Sequence, residues 1–424
     1  MSAKEYSPWI PRGHVERMSE PVPKIVHVIT RFVNGGADEN TLLTCNHQAE
    51  AGFEVWLLYG NEFTKRMLDL LDPRVNAIAV PSLVRDASPF NDLIALVSLA
   101  RLYRKIRPDI IHTHTSKAGF VGRLAALAVP RAAVVHGVHI LPFTDEPFLK
   151  RTIYLLLEKV AALRTHAFID VSDGMRDLCL ANGLGNVTNH FVVRSGMDVE
   201  RFRRAAPAND IATLRHETPG AVVIGYVAVL ERRKRHRELL QTLLPLLGRH
   251  KSALLVMAGD GPERPLLQKM IDEAALAARV RILGFRNDVE SVLAACDICV
   301  FTSQREGLPR SIVQYGLAGK PIVVTRLPGI EAVVRHGENG YVVASDDFSG
   351  FASSIEKLLE NPDLRARFSQ ASADADLSPW DARVMGEKIH EVYAQLFSDR
   401  GGRPRGQRAW PLSAERQNSD VAEC

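Results

Sequence analysis

No stretch of this 424-residue chain reaches the roughly 18 uninterrupted apolar residues that a membrane-spanning helix needs. The longest candidate, Ile153 to Leu163, is broken by Glu158 and Lys159. Met1 to Glu20 carries charges and two prolines without an apolar core, which is not the pattern of a secretory signal peptide. Cysteine is scarce and odd in number: Cys45, Cys179, Cys296, Cys299 and Cys424 do not make a secreted disulfide framework. Cys296 and Cys299 form a C-x-x-C, but it sits in the apolar run 294–301 and reads as buried core. Charge of one sign is lacking too. Lys+Arg 53 against Asp+Glu 49 leave a net charge of +4, so there is no electrostatic case for a nucleic-acid partner. These absences point to a cytoplasmic protein, soluble or peripherally attached to a membrane.

What is present is ordinary globular composition, 46% hydrophobic and 24% charged, with length for about two or three domains of roughly 150 residues each. Short β-branched runs recur at 24–29, 54–58, 76–80, 109–113, 133–138, 167–171 and 190–193. They resume at 221–229, 253–257, 280–283, 297–301, 321–325 and 340–343. Such runs, bounded by turn residues, predict parallel strands covered on both faces. Helical patterns lie between them. One places Leu93, Leu96, Val97, Ala100 and Tyr103 on a common apolar face and ends at Arg107-Pro108, where proline stops the helix. The alternation predicts α/β architecture with two Rossmann-like, doubly wound parallel-sheet domains facing a cleft. The expected divisions are an unstructured tail at 1–21, domains at 22–205 and 206–376, a final helix at 377–398, and a Gly/Arg-rich tail at 399–424.

Ligands of such sheets bind beyond the carboxyl ends of the strands, and several motifs stand there. Gly35-Gly36 follows the first strand and precedes a helix; it is either a plain turn or a close backbone approach to phosphate. The chain lacks G-x-G-x-x-G at this place, which counts against a nicotinamide cofactor. His112 and His114 share one strand face just before Lys117, with no obvious third metal ligand in the sequence. His136 and His139 follow the next strand, in structural or functional roles. The run 231–237 (Glu231, then Arg232, Arg233, Lys234, Arg235, His236 and Arg237) is a solvated face or a diphosphate neutraliser. Gly259-Asp260-Gly261-Pro262 makes a second Gly turn after a strand. The richest stretch is 303–321: Glu306 stands in a Gly turn, and Leu308, Pro309 and Arg310 open a helix whose first amides would face the cleft as an anion site.

With Gly35-Gly36-Ala37, His112-Thr113-His114, Val138-His139, Val171-Ser172-Asp173, Ser195-Gly196-Met197-Asp198, Gly259-Asp260-Gly261-Pro262, Leu283-Gly284-Phe285 and the Glu306 helix, residues 22–397 resemble the family 4 glycosyltransferases, which have the GT-B fold. The resemblance implies retaining transfer of a sugar from a nucleotide-sugar donor, a UDP-sugar, to a lipid-linked saccharide or polysaccharide in surface polysaccharide biosynthesis. It implies that Glu306 holds donor-sugar hydroxyls and that His139 lies beside that sugar. Leu308, Pro309, Arg310, Gly35, Gly36, Gly261 and Lys234 would serve the diphosphate, and Phe285 and Arg286 would border the base. His112, His114 and Lys117 fall on the acceptor side, the last helix crosses back onto the first domain, and no metal or other cofactor is implied.

There are two departures. The family's second glutamate, eight positions after Glu306, is Gln314, a neutral acceptor without the charge. The family's diphosphate-binding arginine is Val229, leaving Arg232 or Arg233 to replace it. Two alternatives follow: a catalytically silent nucleotide-sugar-binding module, or a nucleotide-sugar epimerase on the same fold. A cationic bias over 93–170, roughly eleven Lys/Arg against five Asp/Glu, fits an anionic membrane surface or solvated helices.

Overall fold

In a computed structural model of the chain, residues 22–399 are described, apart from 142, 144–146 and 305. The tails expected at 1–21 and beyond 399 lie outside them. Seven parallel strands form the first sheet: β1 (Lys24–Phe32), β2 (Glu54–Phe63), β3 (Asn76–Ala79), β4 (Ile110–His114), β5 (Ala133–Val138), β6 (Ala167–Asp170) and β7 (His190–Val192), in the order 3-2-1-4-5-6-7. Six form the second: β8 (Val222–Val227), β9 (Ala253–Ala258), β10 (Val280–Gly284), β11 (Ile298–Phe301), β12 (Ile322–Thr325) and β13 (Gly340–Val343), in the order 10-9-8-11-12-13. The β-branched runs fold as strands; β4, β5, β9 and β11 are buried along their whole length because both sheet faces are covered, whereas the edge strand β3 is largely exposed.

Each sheet reverses its direction of growth once, between β1 and β4 and between β8 and β11. At such a point the flanking loops part and leave a crevice. The two crevices face each other, and the motifs sit in them. Gly35-Gly36 follows β1 and the His114–Lys117 turn follows β4; Lys234 follows β8 and Glu306 follows β11.

The first core ends at Val193, whereas Met197, Val199 and Phe202 already pack in the second, so the chain changes domain at 194–196 rather than near 205. The final helix, Ala382–Asp399, returns to bury Met385, Ile389, Val392, Tyr393 and Leu396 in the first core. The outgoing and returning segments touch: Met197 N donates to Trp380 O at 2.8 Å, and Ala382 N to Met197 O at 3.1 Å. Among the described residues, no helix is long and apolar enough to cross a membrane.

The helix Pro89–Ile106 departs from its expected packing. It ends where Arg107 turns left-handed (φ 56°) ahead of Pro108, but its buried side is Ala95, Leu99, Tyr103 and Ile106. Leu93 and Val97 are exposed. Of the expected face, Tyr103 is buried and Leu96 and Ala100 pack half-buried on the same core, so the helix is apolar on two sides and is turned toward Ala95 and Leu99. Cys296 and Cys299 are buried as free thiols in the second core.

Candidate active site

The C-terminal wall is built on ions. Glu306 Oε1 accepts from Arg233 Nη1 and Lys234 Nζ, each at 2.5 Å, and from Ser303 Oγ at 3.2 Å. Arg233 Nε also donates to Glu231 at 3.0 Å. Burial opposes ionisation of Glu306, but the adjacent Lys234 and Arg233 charges outweigh it and hold the carboxyl below its ordinary value. Burial draws Lys234 below the ordinary ammonium value, with Glu306 working against that shift. The turn that aims these groups is local. Residues 232–234 make one 3-10 turn, Arg235 closes it with φ 60°, and Tyr226 Oη lies 2.8 Å from Lys234 O beneath it. In that turn Arg233 points inward. Arg232 points outward to Glu238, at 3.0 Å, and is well exposed.

The helix Arg310–Leu317 starts beside this cluster, with Leu308 buried and Pro309 at its cap. Ser311 Oγ donates to Val227 O at 2.8 Å, pinning the helix start to the end of β8. Arg310 spans the cleft. Its Nη1 donates to Gly196 O at 2.6 Å, and its Nη2 pairs with Glu39 at 3.1 Å. Gly36 makes room for it, since a Cβ there would lie 3.0 Å from Arg310 Cδ. Gly35 N and Val33 N both donate to Asp38, at 2.8 and 3.1 Å, fixing the loop after β1. Gln314, on the same short helix, is partly exposed, and no hydrogen bond of its side chain is seen among the described residues. Gly261 lies against Leu230 O, which a Cβ would meet at 2.6 Å. Phe285 is half exposed, with the Arg66 guanidinium of the other domain 5.8 Å from its ring centre. Arg286 is held by Asp210 at 2.6 Å and Asp288 at 2.7 Å.

The N-terminal wall is built on imidazoles. Register places His27 of β1 beside His112 of β4, and His114 beside Gly137 of β5. His27 Nδ1 lies 3.0 Å from His114 Nε2, and His114 Nδ1 lies 3.4 Å from His139 Nε2. Gln48 starts the chain, its Oε1 2.7 Å from His27 Nε2. Its amide nitrogen donates to Tyr393 Oη at 3.5 Å, and that hydroxyl lies 2.7 Å from His112 Nδ1. With the Gln48 oxygen toward His27, the protons fall on Nε2 of His27, His114 and His139. Nδ1 of His139 is then left as an acceptor. Gly137 is the floor of this group. A Cβ there would lie 3.1 Å from His114 Nδ1, 3.3 Å from His112 Nε2 and 3.4 Å from His139 Nε2.

Burial drives His27 down to about 4 against the opposing pull of Gln48; burial and then Arg310 drive His139 to about 4. Both are neutral at pH 7. His27, His112 and His114 offer ligand atoms within 4.8 Å of one another, so a soft divalent ion has donors there. Those nitrogens are already engaged in the hydrogen-bond chain, apart from His112 Nε2.

His136 stands outside this group, 2.9 Å from Thr113 Oγ1, and Lys117 is engaged by Asp92 at 2.6 Å. The walls meet where Gly307 faces the His139 carbonyl, which a Cβ at 307 would approach at 2.4 Å. Sequence reasoning missed His27, Gln48 and Tyr393. The only local signal was a histidine inside an otherwise apolar strand.

Two family models match this layout domain by domain: a glycosyl transferase 4-like domain over residues 35–196 and glycosyl transferases group 1 over 215–374. The chain is 29% identical over 339 residues to the UDP-Gal:α-D-GlcNAc-diphosphoundecaprenol α-1,3-galactosyltransferase of Escherichia coli, covering 78% of this chain and 86% of that one. It is 24% identical to the capsular polysaccharide biosynthesis glycosyltransferase CapM of Staphylococcus aureus, over 75% of this chain and 85% of that one. Its fold matches a crystal structure of HepE from Anabaena, solved with UDP and glucose, with a TM-score of 0.72, 21% identity, and coverage of 88% of this chain and 100% of that one. Two facing parallel sheets, an ionic wall at one switch point and a histidine wall at the other, together with these matches over most of its length, make this chain a glycosyltransferase of group 1 and family 4, with the GT-B fold.

Proposed function

We propose that this glycosyltransferase moves a sugar from a UDP-sugar, with retention and without a metal ion, to a lipid-linked saccharide in surface polysaccharide assembly. The reading takes donor and acceptor from the Escherichia coli relative, whose name specifies a UDP-sugar and a diphosphoundecaprenol acceptor. The observation that carries it is the convergence of Arg233 and Lys234 on Glu306 beside the start of the 310–317 helix. Two fixed cations and a set of outward amides supply the positive charge that a departing diphosphate needs, before the bond breaks and without reorganisation. Arg233 takes the task that the family gives to the arginine replaced here by Val229. Glu306, ionised, accepts from donor-sugar hydroxyls while holding the two cations in place. Gln314 accepts from the ribose through its amide oxygen.

On the facing wall, His139 is neutral and presents an acceptor nitrogen to the sugar, its orientation set from Gln48 through His27 and His114. Closure about the paired crossings at 197 and 380–382 excludes water during transfer. The reaction takes place at the cytoplasmic face of a membrane, where a lipid-linked acceptor resides.

The test is a thermal-shift and turnover screen of the purified protein against nucleotides and nucleotide sugars, with Glu306→Ala as control. One UDP-sugar should raise Tm by binding the folded state and release UDP slowly, with the product anomer matching the donor anomer. Binding without turnover, even with a lipid acceptor, would establish a silent module, for which the changes at Val229 and Gln314 speak. Isomerised sugar nucleotide without acceptor would establish an epimerase.

A further inference from the structure

One nitrogen of the imidazole wall is not used by its hydrogen-bond chain. His112 Nε2 is buried and meets no hydrogen-bond partner among the described residues. A buried polar atom left in this way costs free energy unless a ligand takes it. The rings around it are placed to share one. His27 of β1 and His112 and His114 of the adjacent β4 each bring a ligand atom within 4.8 Å of the others. The backbone leaves room beside them, because Gly137 has no side chain. The place its Cβ would fill lies 3.3 Å from His112 Nε2 and 3.1 Å from His114 Nδ1.

The partners behind the rings are those that a metal ligand needs. A ligating imidazole donates its far N–H to a second group, which turns the near nitrogen inward. Gln48 Oε1 stands 2.7 Å from His27 Nε2, and Tyr393 Oη stands 2.7 Å from His112 Nδ1. These contacts leave His27 Nδ1 and His112 Nε2 as the inward atoms. His27 Nδ1 lies 3.0 Å from His114 Nε2, close to the edge of about 3.3 Å between nitrogens arranged tetrahedrally around zinc. Imidazoles without carboxylates suit zinc or cobalt and exclude calcium and magnesium, which require oxygen.

We propose that His27 Nδ1, His112 Nε2 and His114 Nε2 form a site for one Zn²⁺-like ion behind His139, and that an occupied site switches the enzyme off. The ion takes no part in the transfer. With Nε2 ligated, His114 carries its proton on Nδ1, 3.4 Å from His139 Nε2, and donates there. His139 then carries its own proton on Nδ1. Two rings change tautomer, no proton is gained or lost, and the nitrogen turned to the sugar becomes a donor instead of an acceptor. The switching rests on the transfer reading above; the site does not.

The experiment is titration of the untagged, chelator-treated full chain with Co²⁺, read by absorption, and then displacement with Zn²⁺. Wild type should take up one Co²⁺ with the visible band of a four-coordinate site and without the near-ultraviolet band of thiolate ligation. Zn²⁺ should erase that band and raise Tm. Tyr393→Phe keeps the ring and deletes the oxygen behind His112; it should weaken Co²⁺ binding by about 10- to 100-fold. His112→Gln should abolish binding, and if it does not fold, Tyr393→Phe decides. Zn²⁺ should lower the kcat of wild type with donor KM unchanged. Three results would overturn the site: no Co²⁺ uptake by wild type, a thiolate band, which would place the ion at Asp170, Cys179 and His190, or binding that Tyr393→Phe spares and His250→Ala removes, which would place it at His250, Glu356 and Glu360. Bound Zn²⁺ with unchanged kcat would overturn the switch. A chain without turnover under any condition would sink the transfer reading alone, because the Co²⁺ titration needs neither donor nor acceptor.

Discussion

On one wall of the cleft the polar groups are imidazoles, buried and neutral; on the other they are ions, buried and paired. The same physical setting, a crevice at a sheet's switch point, yields opposite electrostatics because of what each loop brings to it. Among the described residues, His27, His114 and His139 find their side-chain hydrogen-bond partners in one another and Gln48, none of them an anion, so burial decides and the proton is shed. Glu306 has two cations in contact, so pairing overcomes burial and the charge is kept. The lesson is a division of labour. On the proposed reading, the charge that must meet a diphosphate is fixed around Glu306, while the histidine group opposite offers hydroxyls neutral hydrogen-bonding nitrogens.

The sharpest way to break this contrast is to remove one cation. Arg233→Ala should lower kcat by about 10²-fold or more, the scale for losing one preorganised donor to a developing anion. Arg232→Ala should stay near wild type, because that side chain faces Glu238. Steady-state UDP release by the two variants checks the pair. On the other wall, Gly137→Ala places a methyl among three ring nitrogens and should cost about 1–3 kcal/mol of stability, read as a lower Tm with disturbed His139.

Acidification attacks one wall before the other. In the unfolded chain a histidine titrates near 6.5, whereas His27 and His139 titrate at about 4 when folded. Below the unfolded value only the unfolded state takes up these protons, so stability should fall as pH drops from about 6.5 to about 4 and be fully present above that window. Thermal unfolding across pH checks this, and His27→Gln should flatten the slope. The smallest effect is expected from Gln48→Leu. Breaking the start of the hydrogen-bond chain should lower kcat several-fold and leave the donor KM unchanged, which separates orientation from binding.

The strands were legible because parallel strands buried on both faces write themselves as short β-branched runs. Resemblance put Glu306 and Lys234 in one site, though nothing local in the sequence says that residues 72 positions apart are in contact. The choice between Arg232 and Arg233 was not legible. Neighbours in a tight turn point opposite ways, and the phase is set by the positive φ of Arg235 and by Tyr226 beneath it. Nor could His27, Gln48 and Tyr393 be read. They meet only because β1 lies next to β4 and because the last helix returns to the first domain. The buried side of the 89–106 helix was read in part: Tyr103 is buried, but the helix is apolar on two sides, and the core takes Ala95 and Leu99 in place of Leu93 and Val97.

The crossings at Met197 and at Trp380–Ala382 lie side by side, joined by two backbone hydrogen bonds. Two independent tethers at distant points would lock the halves together, and a single strand would let them tumble. Two straps fastened at one edge leave essentially one freedom, a swing. Each opening is then undone by the reverse of a single motion, and Glu306 and His139 return to the same separation without a three-dimensional search. A transferase that must release one product and admit the next acceptor can therefore come apart at every turnover and keep its alignment.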